Sequence, residues 1–90
     1  MIRVSVKLDV SPSKRYSGDY DGTICMAECI RSLCVNLSVD PDTVDGVTRN
    51  VDVFHKMTGN YELFSFDPHE QLQFYAEKVT GRLYLKFKLV

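Results

Sequence analysis

The chain has 90 residues, with 11 Lys and Arg against 12 Asp and Glu, and a formal net charge of −1. That length makes one small domain spanning residues 1–90, burying roughly 60–65% of its unfolded surface. The near-neutral charge excludes a bulk drive toward nucleic acid or an anionic membrane, and an apolar fraction of 44% excludes a disordered chain. No stretch approaches the ~20 apolar residues that span a bilayer. Cys25, Cys29 and Cys34 are odd in number and no signal segment precedes them, so free thiols in the cytoplasm are expected.

Ile2 to Val10 alternates without a slip. Ile2, Val4, Val6, Leu8 and Val10 share one face, and Arg3, Ser5, Lys7 and Asp9 the other. This predicts a strand with one buried side, ended at Ser11-Pro12 because proline cannot donate to a ladder. Ser11 to Gly22 is polar and reads as a long loop carrying Lys14, Arg15, Tyr16 and Tyr20. A helix is predicted over 24–37, capped by Asp21 or Thr23, with Met26, Ile30, Leu33 and Leu37 along one face. Ser38 to Gly46 is an acidic connector. Asp40, Asp42 and Asp45 have the wrong spacing for a calcium loop and read as a solvated turn.

Arg49–Met57 and Asn60–Phe66 read as a hairpin around Gly59-Asn60, residues that tolerate the positive φ of tight turns. Asp67, Pro68 and Glu70 form a helix-start signature. The second helix then buries Leu72, Tyr75, Ala76 and Val79 and stops at Thr80-Gly81. Phe74 falls on its outer side, among Glu70, Glu77 and Lys78. Leu83 to Val90 alternates again, with Tyr84, Lys86 and Lys88 outward.

The expected fold is therefore α+β: a ferredoxin-like βαββαβ sandwich with an antiparallel four-stranded sheet, order 4-1-3-2, and two helices on one face. The free face would carry Arg3, Ser5, Lys7, Asp52, Phe54, Lys56, Tyr61, Leu63, Tyr84, Lys86 and Lys88. Basic side chains interleaved with aromatics suit a protein interface, a platform for single-stranded bases, or a solvated face.

The βαββαβ order resembles that of the RNA-recognition motif. Laid on that family's aromatic octapeptide, Tyr61, Phe64 and Phe66 fall at aromatic or apolar positions. Gly59, Asn60, Glu62 and Leu63 depart from its pattern, and Ser5 stands where the first strand has a stacking aromatic. The resemblance covers the element order, and RNA binding is not carried over from it.

No catalytic or metal-binding set is expected. Cys25, Cys29, Cys34, His55 and His69 fit no zinc spacing, and the glycines form no phosphate loop. The expected function is a non-enzymatic binding protein without a cofactor: an adaptor, an inhibitor or a self-assembling subunit, with a homodimer open. Its contacts are placed on a rim of Lys14, Arg15, Tyr16, Tyr20 and Arg82, with the exposed Phe74. The alternative is single-stranded RNA or DNA on Arg3, Lys7, Phe54, Lys56, Tyr61, Tyr84, Lys86 and Lys88.

Overall fold

The computed structural model describes residues 1–40, 43–44, 47–48, 50–57 and 59–90. Asp42, Asp45 and Gly46 of the acidic connector, Arg49 and Thr58 lie outside the described residues.

Among the described residues, seven strands and one α-helix follow in the order β1 (Ile2–Leu8), β2 (Lys14–Tyr20), α1 (Met26–Asn36), β3 (Thr43–Val44), β4 (Val47–Thr48), β5 (Val51–Met57), β6 (Asn60–Leu63) and β7 (Arg82–Leu89). A short 3₁₀ turn, Leu72–Phe74, precedes β7. Five strands form one mixed sheet in the order β2-β1-β7-β5-β6, and β3 pairs with β4 alone. The expected four-stranded antiparallel, two-helix sandwich is overturned.

Two local events account for the difference. First, the polar stretch read as a loop is a strand. β2 pairs antiparallel with β1, from Ile2 opposite Tyr20 to Leu8 opposite Lys14. It is an edge strand with little apolar area, so its alternation is faint: Tyr16, Gly18 and Tyr20 inward; Arg15, Ser17 and Asp19 outward. Gly18 leaves room for the Tyr16 ring folded over it: a Cβ there would lie 2.9 Å from the Tyr16 hydroxyl and displace it. The extra strand turns the chain round once more before the helix. β5 and β7 then arrive in the reverse sense, and β7 lies parallel to β1.

Second, the predicted second helix is absent beyond the 3₁₀ turn. Its start signature operates locally: the His69 N–H donates to Asp67 Oδ1 at 2.9 Å. Gln71 is then extended, with φ −71° and ψ 143°. The backbone here serves α1 instead. The first-turn N–H groups of α1, which have no partners within the helix, donate from Met26 to the Glu70 carbonyl at 2.9 Å and from Ala27 to that of Pro68 at 3.0 Å. Leu72 and Gln73 donate in turn to the carbonyls of Ile24 and Gly22. Four main-chain bonds between distant segments outweigh a marginal local helix. Leu72 and Ala76 are buried as expected, but Val79 is 91% exposed.

Asp21 and Thr23 do not cap α1. Asp21 Oδ1 accepts from the Thr23 N–H and hydroxyl in a turn before it, and Cys25 is the N-cap. The helix ends in a Schellman arrangement, with Val39 N–H to Cys34 O at 2.8 Å and Ser38 N–H to Val35 O at 3.1 Å. Ser38 sits there at φ 60°, a left-handed conformation that favours glycine. Gly59 takes the turn of the β5–β6 hairpin at φ 88°.

The core lies between the sheet and α1. Val4, Val6 and Leu8 of β1, Leu83, Leu85 and Phe87 of β7, and Val51 and Val53 of β5 meet Met26, Cys29, Ile30, Leu33, Cys34 and Leu37.

Leu85→Ala leaves a cavity at a fully buried central position and is expected to lower the unfolding free energy by about 2–5 kcal/mol in a denaturant titration. Ser38→Gly is expected to raise it by about 1 kcal/mol by removing the left-handed strain.

Candidate functional site

The sheet face turned away from α1 is set by register. Across the five strands one row reads Arg15, Lys7, Lys86, Phe54, Leu63. The next reads Ser17, Ser5, Tyr84, Lys56, Tyr61, and a third begins Asp19, Arg3, Arg82. Lys88 opposes Asp52 at the far end. The face thus brings together all eight residues of the nucleic-acid alternative (Arg3, Lys7, Phe54, Lys56, Tyr61, Tyr84, Lys86 and Lys88), although the topology differs from the one expected. Alternation is a property of each strand and does not depend on strand order.

Sequence reasoning missed two cations of this face as such: Arg15, assigned to a loop, and Arg82, assigned to a turn. With them the face holds Arg3, Lys7, Arg15, Lys56, Arg82, Lys86 and Lys88, seven of the chain's 11 basic side chains. Among the described strand residues, Asp19 and Asp52 oppose them. Asp19 is taken by Arg3 in an exposed ion pair at 3.2 Å.

Arg15, Lys7 and Lys86 stand on adjacent strands, roughly 4.8 Å apart at the backbone. Lys86 bends away from this crowd, with its Nζ 5.1 Å from the Phe54 ring centroid and 5.3 Å from that of Tyr61. Lys56 Nζ lies 5.8 Å from the Tyr84 centroid. Each ammonium sits over the negative face of a ring, an attraction of about 0.5–1 kcal/mol at exposed sites. Tyr61, Tyr84 and Leu63 remain exposed.

The expected rim does not assemble. Lys14 pairs with Leu8 and Arg82 with Arg3, five positions apart along β1, or roughly 16 Å. Tyr16 and Tyr20 lie on the inner side of β2, packed against the core. The Tyr20 hydroxyl is 3.0 Å from Ser32 Oγ on α1, and burial pushes its pKa up.

Phe74 and Arg82 both line a feature the sequence did not reveal. A groove of about 820 Å³ runs between the ends of β5 and β7 and the segment from Phe74 to Thr80. One wall is a chain of rings. His55 stacks on Phe64 at 4.3 Å, Phe64 meets Tyr75 edge-on at 5.2 Å, and Tyr75 meets Phe74 at 5.2 Å. The run leads from the core to Phe74, 69% exposed.

Two of the three thiols, Cys29 and Cys34, are buried, and Cys25 is half-buried. Burial pushes the Cys29 thiol up to about 12 and that of Cys34 to about 11. Among the described residues no three His, Cys, Asp or Glu side chains gather where a metal could be held. No helix among them is long and apolar enough to cross a membrane.

No protein family and no curated protein matches the chain. Among solved structures, it is similar to a ubiquitin-like protein from the hyperthermophilic archaea Caldiarchaeum subterraneum, at 9% identity and a TM-score of 0.49, covering 99% of this chain and 96% of that one. The fold stands on the strand order and the single helix described above.

A thiol whose pKa is raised on folding keeps its proton in the native state after the unfolded state has lost it. Its contribution is therefore full below the ordinary thiol range and is lost as pH rises toward the folded values. The stability advantage of the wild type over Cys29→Ala is expected to shrink steadily between about pH 8.5 and 11, measured by urea unfolding. A constant difference would show that the folded thiol ionises as freely as the unfolded one.

Proposed function

We propose that the chain is a non-catalytic binding protein that occupies an acidic surface of a protein partner with its outer sheet face, as an adaptor or an inhibitor. The carrying observation is the row Arg15, Lys7, Lys86, Phe54, Leu63, in which cations pass into an exposed apolar end across five hydrogen-bonded strands. The β-ladder holds these groups in place before contact, which reduces the ordering cost of association. The cations steer an acidic partner, and Phe54, Tyr61 and Leu63 supply the desolvated centre. The three cysteines, all free, fit a reducing, cytoplasmic setting.

Two competing occupants are weaker on the same observations. A second copy meeting this face would set seven cations against seven, with Asp19 and Asp52 as the described counter-charges. Single-stranded nucleic acid is favoured by the interleaved aromatics, since bases stack on such rings. Against it, Lys86 and Lys56 already lie over three of the rings, and Leu63, 67% exposed, offers no stacking plane.

The test is capture from the native host by wild type and by a Lys7→Glu/Lys86→Glu variant matched for folding by circular dichroism. A specific protein is expected on the wild type only, with Leu63→Ala weakening it about tenfold, or 1.4 kcal/mol. Salt is expected to slow association more than it speeds dissociation. Binding confined to single-stranded oligonucleotides, lost in Tyr61→Ala and Tyr84→Ala and falling steeply with salt, would move the function to nucleic acid.

A further inference from the structure

The groove between β7 and the Phe74–Thr80 segment is built in a way that packing alone does not require. Val79 is 91% exposed, yet the turn presenting it is tied at both ends. Glu77 N–H donates to the Arg82 carbonyl at 2.9 Å, and Gly81 N–H to the Glu77 carbonyl at 2.8 Å. The Glu77 carboxylate accepts from the Val79 N–H at 3.1 Å and the Thr80 N–H at 2.6 Å. Gly81 makes the return possible at φ 64°. Four hydrogen bonds thus fix a valine in solvent. Opposite it, Phe74 is held edge-on against Tyr75, whose hydroxyl accepts from the Asp67 N–H at 2.8 Å. Two exposed apolar side chains on restrained backbone flank one trough.

The charge at its mouth is positive in balance, two cations against one carboxylate. Lys56 and Arg82 line it, and the one acid of the lining, Glu77, has both oxygens committed to its own turn. Glu62 faces His55 across the β5–β6 ladder and is not part of the lining.

We propose that this groove is a docking site for an acidic segment of a protein partner that carries one large apolar side chain. The side chain lies between Phe74, Val79 and Leu83. The flanking carboxylates meet Lys56 and Arg82. Fixed aromatic and aliphatic walls lower the ordering cost of binding. The space, about 820 Å³, exceeds a single side chain, so a stretch of peptide enters with it. The inference rests on the reading of the chain as a binding protein but uses different residues from the outer sheet row. Lys56, Tyr84 and Arg82 join the two surfaces.

The experiment is a titration of the ¹⁵N-labelled chain with three short synthetic peptides: a leucine flanked by aspartates and glutamates, the same with alanine for leucine, and the same with lysines for the acids. The first is expected to shift the amides of Phe74, Tyr75, Val79 and Leu83 and to saturate, and the other two to bind at least tenfold more weakly. Phe74→Ala/Val79→Ser changes two exposed side chains and is expected to weaken the first peptide at least tenfold. Leu63→Ala on the sheet face is expected to leave it unchanged. Equal binding of the alanine peptide, no shift at millimolar peptide, or shifts confined to Lys7, Arg15 and Leu63 would overturn the groove. The last result would leave the sheet-face reading standing, and loss of partner capture in Lys7→Glu/Lys86→Glu tests that reading separately.

Discussion

The pairing of the first strand with the last is the constraint on which the molecule depends. β7 lies between β1 and β5, hydrogen-bonded on both sides. Its inward residues Leu83, Leu85 and Phe87 are 0–6% exposed. The ladder extends past its register at both ends, with Arg3 N–H to Gly81 O at 3.0 Å and Asp9 N–H to Phe87 O at 2.8 Å. The parallel sense requires a long crossover, and everything from β2 to the Glu77 turn is that crossover. The same pairing sets Lys7 beside Lys86 and Arg3 beside Arg82. Opposing like charges weaken a ladder somewhat, here at exposed (Arg3, Arg82) and half-buried (Lys7, Lys86) positions that solvent still screens. The basic row is therefore tolerated because the other side of the same strands fills the core.

Segment 67–73 completes the arrangement from below. α1 has no side-chain cap at Cys25, and its first free donors are met by the carbonyls of Pro68 and Glu70. The helix start and the 3₁₀ turn are thus one unit, with Leu72 fully buried at the junction. The ring chain His55, Phe64, Tyr75, Phe74 begins in β5 and ends on this unit. The groove wall is consequently an extension of the core.

This division explains what could be read beforehand. β1, β7, α1 and the β5–β6 hairpin carry strong periodicity over large apolar residues, and all four were legible. The sides of the strands were legible too, because parity survives any change of strand order. β2 was not: its inward positions hold two tyrosines and a glycine, an edge strand's modest share of burial. The segment after Asp67 misled because its start signals are satisfied locally while its carbonyls are claimed by α1, an interaction with no local trace. One uncounted strand then reversed every later element. The groove joins β5, β7 and the Glu77 turn, so it existed only once the topology was correct.

The parallel central pair also gives the molecule a polarity. Met1 lies beside Gly81, its carbonyl oxygen 3.8 Å from where a Cβ there would sit. β1 and β7 then run the same way, and Val90 closes against Asn50 at the opposite end of the strands. The two chain ends are separated by the length of the strands, roughly 25 Å. Cargo or a surface tether joined ahead of Met1 would crowd the groove. The same attachment after Val90 would leave it clear, with the aromatic wall facing outward.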